Sequence, residues 1–131
     1  MQLKKILFKS LLIMTIMTPI IVFLVQINWI RYYKLSNDYL TTSGVIISVN
    51  PEVHMRGCYT YDVENIKYSY CEDGIASDYK THDNALVFYE RKNPQNSSLT
   101  KPHDLLVNET TTILIAAIIL PIFFIFVFRK I

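Results

Sequence analysis

Cys58 and Cys71 are the only cysteines of the 131-residue chain, and their spacing decides the first chemistry that the sequence can support. A two-residue turn at Glu64-Asn65 pairs the β-type runs on either side of it, and this register sets Cys58 opposite Cys71. Counted outward from the turn, the pair is non-hydrogen-bonded, with Cα atoms about 4.5 Å apart, a separation that a disulfide can bridge. The pattern predicts a disulfide in an oxidising compartment; the alternative is two free, buried thiols.

The same register gives the predicted hairpin an aromatic face. Because side chains alternate between the two faces of a strand, four tyrosines project together. They are Tyr59, Tyr61, Tyr68 and Tyr70. We predict that they pack in the core of the domain, against apolar residues of two further strands. Those residues are Val45, Ile47, Val49, Leu86 and Phe88. The alternative is an exposed aromatic surface, which makes the four tyrosines candidate partner-binding residues.

Two His-Asp dipeptides, His82-Asp83 and His103-Asp104, are the remaining candidates for chemistry. A metal-dependent hydrolase needs several such ligands to converge, and two separate dipeptides in predicted loops fall short of that. The sequence contains no phosphate-binding glycine loop and no serine-hydrolase or zinc-protease motif. We therefore predict a non-enzymatic protein with no cofactor, no metal site and no catalytic residues, and a small hydrolase is the least favoured interpretation.

Two apolar runs frame the segment that carries these residues. Residues 11–30 and 110–128 contain no ionisable side chain, and a helix of about 20 residues crosses the hydrocarbon layer of a bilayer. Both runs are predicted to be transmembrane helices. The first run could instead be a cleaved signal peptide, but its length and the lack of a small-residue cleavage site favour an uncleaved anchor. Spans without charged residues are typical of an anchor and not of a transporter.

Charges beside the two runs predict the orientation. Lys4, Lys5 and Lys9 precede the first run, Arg129 and Lys130 follow the second, and all eleven acidic residues lie between the runs. Basic flanks stay in the cytoplasm, so both termini are predicted to be cytoplasmic. The segment between the runs is then extracytoplasmic, and its net charge of −3 argues against a nucleic acid partner.

These assignments divide the chain into five parts. The predicted divisions are a cytoplasmic tail at 1–10, transmembrane helix 1 at 11–30, an extracytoplasmic segment at 31–109 with a β domain at about 42–99, transmembrane helix 2 at 110–128 and a cytoplasmic tail at 129–131.

The central segment has the strand and turn signals of a small all-β domain. Short alternating or apolar runs are separated by turn signals at Asp73-Gly74 and Asn93-Pro94. The first helix is expected to continue past Arg31 for a turn or two. The predicted elements are strands at 45–49, 59–63, 66–70 and 85–89, a strand or irregular edge at 75–81 and a polar exit loop at 95–102. The fold class is a membrane α+β protein in which two transmembrane helices flank a small barrel- or sandwich-like all-β domain.

Three short motifs, in this order, resemble a known family. A Gly44-Val45 pair opens the first strand, a Tyr-x-Tyr pattern at Tyr68-Ser69-Tyr70 ends near Gly74, and residues 89–97 read Tyr-x-x-x-Asn-Pro-x-x-Ser. With the flanking helices, this order resembles the bacterial membrane proteins that contain the domain of unknown function 3592. The resemblance covers about residues 42–99 and implies a small barrel-like domain between two helices, with no known activity and no catalytic residues. The chain departs from the family pattern by an insertion at residues 50–64, which includes Cys58.

Together these patterns predict a small, multi-pass protein of the bacterial inner (cytoplasmic) membrane. Its partners would be the lipid bilayer and a protein whose identity the sequence does not contain. Its expected role is to present the extracytoplasmic β domain for partner binding or for stabilisation of an envelope complex. The alternative is an immunity-type inhibitor of a toxin that acts in the periplasm or in the membrane, and proximity of a toxin gene would distinguish the two.

Overall fold

A computed structural model describes residues 2–129 of the chain, so Met1 and the last two residues of the predicted C-terminal tail lie outside the described residues. The chain forms two compact units. One contains the helical residues up to Ile30 and those from Val107 onward, and the other contains Arg31–Leu106. Helix α1 is Gln2–Asn37 and helix α2 is Pro102–Arg129. The predicted extension of the first helix beyond Arg31 is therefore confirmed.

Both helices carry a stretch that is long and apolar enough to cross a membrane. These stretches are Gln2–Leu24, with a mean hydropathy of 2.2, and Pro102–Phe123, with a mean hydropathy of 1.9. Within this helical unit, the indole Nε1 of Trp29 donates a hydrogen bond of 3.1 Å to the hydroxyl of Thr110. Only 6% of the first apolar window and none of the second is buried within the protein. The unit thus leaves its apolar surface exposed.

The second unit is built on one five-stranded sheet in which all paired neighbours are antiparallel. The strand order is β3-β2-β1-β4-β5. The strands are β1 (Tyr39–Asn50), β2 (Arg56–Val63), β3 (Ile66–Glu72), β4 (Asn84–Glu90) and β5 (Asn93–Ser98). The two edge strands, β3 and β5, come close to each other, so the sheet curls into a nearly closed barrel. This confirms the coarse prediction of a small all-β domain between two apolar helices.

The β2–β3 hairpin has the register that the sequence predicts. Val63 pairs with Ile66, and Cys58 pairs with Cys71. The turn residues Glu64 and Asn65 have φ angles of 53° and 66°. Two consecutive positive φ angles define the type I′ turn, whose twist matches that of the flanking strands. The turn therefore fixes which residues of β2 and β3 face each other.

The core of the barrel differs in part from the predicted one. It consists of Ile46, Tyr59, Tyr61, Ile75, Ala85, Val87, Tyr89 and Leu99, with Val49 packed against it as predicted. Val45, Ile47 and Leu86 were expected to pack on the tyrosines, but their side chains are 39–54% exposed on the outer face. Phe88 is also on the outer face, where its ring contacts that of Tyr39 edge-on at 5.6 Å.

Two physical causes explain this correction. A bulge between Ile46 and Ser48 interrupts the alternation of β1, so that Ile46 and Val49 both face the core. In β4 both faces are apolar, so the pattern alone does not show which face turns inward, and the inward residues are Ala85, Val87 and Tyr89. A Cβ atom placed on Gly44 would lie 2.6 Å from Cγ2 of Val87, which shows how closely β1 and β4 pack there.

Two of the other predicted elements also need correction. Residues 93–98 form strand β5, where the sequence suggested a turn and the start of an exit loop, and α2 already begins at Pro102. The segment 75–81, which was expected to be a strand or an irregular edge, is a series of turns that buries Ile75. Gly74, at the predicted turn, has a φ of 85°.

Candidate interaction surface

The disulfide lies on the outer face of the hairpin. Cys58 and Cys71 are bonded, with an S–S distance of 2.03 Å and a Cα–Cα distance of 4.0 Å. Cys58 is half-buried and Cys71 is exposed. Because it joins two strands that already pair, the bond holds β3 to β2 at the end of the hairpin opposite the turn.

Tyr59 and Tyr61, two of the four candidate partner-binding tyrosines, point into the barrel. Their side chains are 0% and 3% exposed. The hydroxyl of Tyr59 lies 2.9 Å from Oγ of Ser97, and the hydroxyl of Tyr61 donates to the carbonyl oxygen of Pro94. Burial raises the pKa of both phenols, because the charged form would lose its hydration. The two residues connect β2 with β5 across the interior.

Tyr68 and Tyr70 are half-buried and are the accessible part of the tyrosine face. The ring of Tyr68 stacks on that of Tyr61, with centroids 5.7 Å apart. Tyr70 contacts Tyr59 edge-on at 6.2 Å. Both lie on β3, beside the gap between β3 and β5. Any binding by the predicted aromatic surface would therefore have to use Tyr68 and Tyr70.

The gap between β3 and β5, which we call the seam, is bridged by side chains. Glu72, the last residue of β3, accepts hydrogen bonds from Oγ of Ser98 at 2.6 Å and from the backbone N–H of Leu99 at 2.9 Å. A carboxylate that accepts two such bonds takes the role that a neighbouring strand's carbonyls would have. Glu72 thus closes one end of the seam.

Arg31 bridges the seam a second time. Its guanidinium donates to Oδ1 of Asn96 at 3.0 Å and to the backbone carbonyl of Ser97 at 2.7 Å. The same group lies over the ring of Tyr70, 4.4 Å from the centroid, which is a cation–π geometry. Asn96 also donates to the Arg31 carbonyl and to the carboxylate of Glu90. One side chain from α1 therefore contacts both edges of the sheet.

The loop between β1 and β2 is the other distinctive surface of this unit. His54 and Met55 have φ angles of 49° and 54°, a left-handed conformation that non-glycine residues rarely adopt. Their carbonyl oxygens accept the N–H groups of Gly74 and Ala76 at 3.0 and 2.9 Å. These bonds brace the loop against the β3–β4 connection, and Met55 remains 38% exposed.

One His-Asp dipeptide makes hydrogen bonds in a loop, and the other lies near the start of a helix. The backbone N–H of His82 donates to the carbonyl of Ile46 at 2.7 Å, and Asp83 accepts the N–H of Lys80 through its carboxylate. His103 and Asp104 are exposed near the start of α2. Among residues 2–129, no group of three or more His, Cys, Asp or Glu side chains is placed to hold a metal ion.

Reasoning from the sequence missed the residues that bridge the seam. Arg31 appears as one more charge after an apolar run, and Glu72 as a polar residue beside a cysteine. One signal was available for Arg31, because arginine is the more common cation in cation–π contacts and the aromatic residues Trp29 and Tyr32 are close to it in the sequence. Comparisons with models of protein families, with curated proteins and with solved structures found no match to this chain. The resemblance to the domain of unknown function 3592 therefore stays a prediction.

Proposed function

We propose that the protein is a non-enzymatic anchor of the bacterial inner membrane that presents its β unit outside the cytoplasm to a protein partner. The observation that supports the membrane assignment is the exposure of the two apolar helices. The apolar windows are at most 6% buried, whereas the core helix of a soluble protein would be mostly buried. In water, this much exposed apolar surface would cause aggregation, and a bilayer would cover it.

The proposed orientation is supported by the lysines near the N-terminus and by the disulfide of the β unit. Lysines at positions 4, 5 and 9 favour a cytoplasmic N-terminus. The disulfide supports an oxidising location for the β unit, because cytoplasmic thiols are kept reduced. Two spans then place both termini in the cytoplasm.

A binding role for the β unit is supported by its surface. Val45, Ile47 and Leu86 remain exposed on the outer face, although an ordinary solvated face of an antiparallel sheet is polar. Elsewhere in the barrel, a disulfide joins β2 to β3, and Glu72 joins β3 to the end of β5. A group of exposed large apolar side chains is typical of a surface that another protein covers.

Photo-crosslinking of the full chain in its native membrane tests this proposal. A photoreactive residue at Leu86 is expected to give one discrete protein adduct after irradiation, and the protein should remain in the membrane after a carbonate wash. The matched control is Lys92, an exposed polar position next to β4, which should give no such adduct. Release of the protein by carbonate, or equal and diffuse crosslinking from both positions, would contradict the proposal.

A further inference from the structure

The seam between β3 and β5 has a geometry that follows from the number of strands. Neighbouring strands are antiparallel throughout the order β3-β2-β1-β4-β5. With five strands, the two edge strands must run in the same direction. Direct closure of the barrel would therefore need a parallel ladder, the less stable kind of pairing. A single additional strand between the edges could be antiparallel to both of them.

The edge of β5 bears polar groups that are satisfied by side chains. The Ser97 carbonyl accepts from Arg31, and the N–H of Leu99, directly after β5, donates to Glu72. In a closed barrel the main chain of a neighbouring strand would satisfy such groups. These side chains therefore substitute for a strand.

The opposite edge, on β3, has main-chain groups that point into the seam. The two-residue turn makes Val63–Ile66 a hydrogen-bonded pair, so that hydrogen-bonded and non-hydrogen-bonded pairs alternate from there. Lys67, Ser69 and Cys71 fall at the non-hydrogen-bonded positions. Their N–H and C=O groups point away from β2 and can accept a further strand.

We propose that the seam is a strand-acceptor site, and that its occupant is an extended segment of a protein partner that inserts antiparallel to both β3 and β5. The side chains of Arg31 and Glu72 hold the site closed until the segment replaces their contacts with main-chain hydrogen bonds. Completion of a sheet by an added strand is a general mode of peptide recognition. This inference rests on the proposed partner-binding function and assigns a place on the β unit to it.

The side chains beside the seam indicate which segment would fit. Tyr68 and Tyr70 alternate with Lys67 and Ser69 along β3, so one face of the added strand would meet aromatic rings. Aromatic and β-branched residues pair well with tyrosine across strands. The best ligand is therefore an extended segment in which such residues alternate with polar ones.

The test uses the purified full chain in detergent and a display library of linear peptides of about ten residues, the upper length of a typical strand. Selected peptides are expected to alternate apolar with polar residues. Ser69→Pro removes one N–H that points into the seam and leaves the bonds of β3 to β2 intact. It should weaken peptide binding about tenfold, whereas Ser69→Ala, which keeps that N–H, should have no effect.

A second variant tests the closing role of Glu72. Glu72→Gln should strengthen peptide binding several-fold, because a less stable closed seam raises the fraction of open protein. If Ser69→Pro does not fold, as judged by near-ultraviolet circular dichroism, Lys67→Pro at the same edge takes its place. Failure to select any peptide, equal binding by the proline variant and the wild type, or weaker binding by Glu72→Gln would overturn the proposal. Its failure is separable from that of the proposed function, because crosslinking is scored at Leu86 on the outer face.

Discussion

Replacing Arg31 by methionine should destabilise the β unit strongly, although Arg31 lies outside the sheet. Methionine keeps much of the apolar stem but removes both hydrogen bonds and the cation–π contact with Tyr70. Hydrogen bonds from a charged group contribute about 1.5–3 kcal/mol each, and an exposed cation–π contact contributes about 0.5–1 kcal/mol. Since Arg31 is half-buried, we take the lower ends of these ranges and expect a loss of about 3.5 kcal/mol.

The assay is thermal unfolding of the full chain in detergent, followed by near-ultraviolet circular dichroism of the tyrosines. For a domain of this size, a loss of about 3.5 kcal/mol lowers Tm by roughly 20 °C. Arg31→Lys should fall between the wild type and methionine, because lysine keeps the charge but lacks the planar fork. The matched control is Lys34→Met, one turn further along α1 at an exposed position, which should change little. If Arg31→Met were as stable as Lys34→Met, the assignment of Arg31 as a bridge across the seam would be wrong.

Three further predictions follow from the same contacts. Replacing Cys58 and Cys71 by serine should cost about 3 kcal/mol of unfolding free energy in a denaturant titration, because the disulfide no longer restricts the unfolded chain; no loss would contradict this. Gly44→Ala should cost about 1–3 kcal/mol in the same titration, because its Cβ would lie 2.6 Å from Val87, and a neutral effect would mean that the two strands separate easily. The pKa of Tyr59 is raised above its ordinary value of 10.0, so the contribution of Tyr59 to stability is complete below about pH 10 and is lost as the pH rises further. Thermal unfolding at alkaline pH should show this loss of stability. The Tyr59→Phe variant should lose less stability over the same pH range.

The hairpin could be predicted from the sequence because its register depends on local chemistry. A two-residue turn, a pair of cysteines and a strict alternation of tyrosines agree on one pairing, and no distant contact is needed to choose it. The extension of α1 past Arg31 was predictable for a similar reason, since helical residues continue without a glycine or proline.

Strand β5 and the inward faces of β1 and β4 could not be predicted in the same way. The sequence Asn93–Ser98 contains no large apolar residue, yet Ser97 and Ser98 are fully buried. Their polar atoms are satisfied by Tyr59 and Glu72, which are distant in the sequence. A single sequence does not reveal such partners, so the stretch has the sequence pattern of a polar loop. In β1 the inward set depends on a bulge, which the local pattern does not indicate.

The central claim, that the β unit lies outside the cytoplasm, is tested most directly by measuring on which side of the membrane the β unit lies. Ser77 is exposed in the connection between β3 and β4, and Lys4 is exposed near the start of α1. A Ser77→Cys variant is treated in intact cells with a maleimide that does not cross the inner membrane, and Lys4→Cys serves as the matched control. The bridged cysteines give no background. We predict that position 77 is labelled in intact cells and that position 4 is labelled only after the membrane is opened. Labelling of position 77 only after the membrane is opened would contradict an extracytoplasmic β unit.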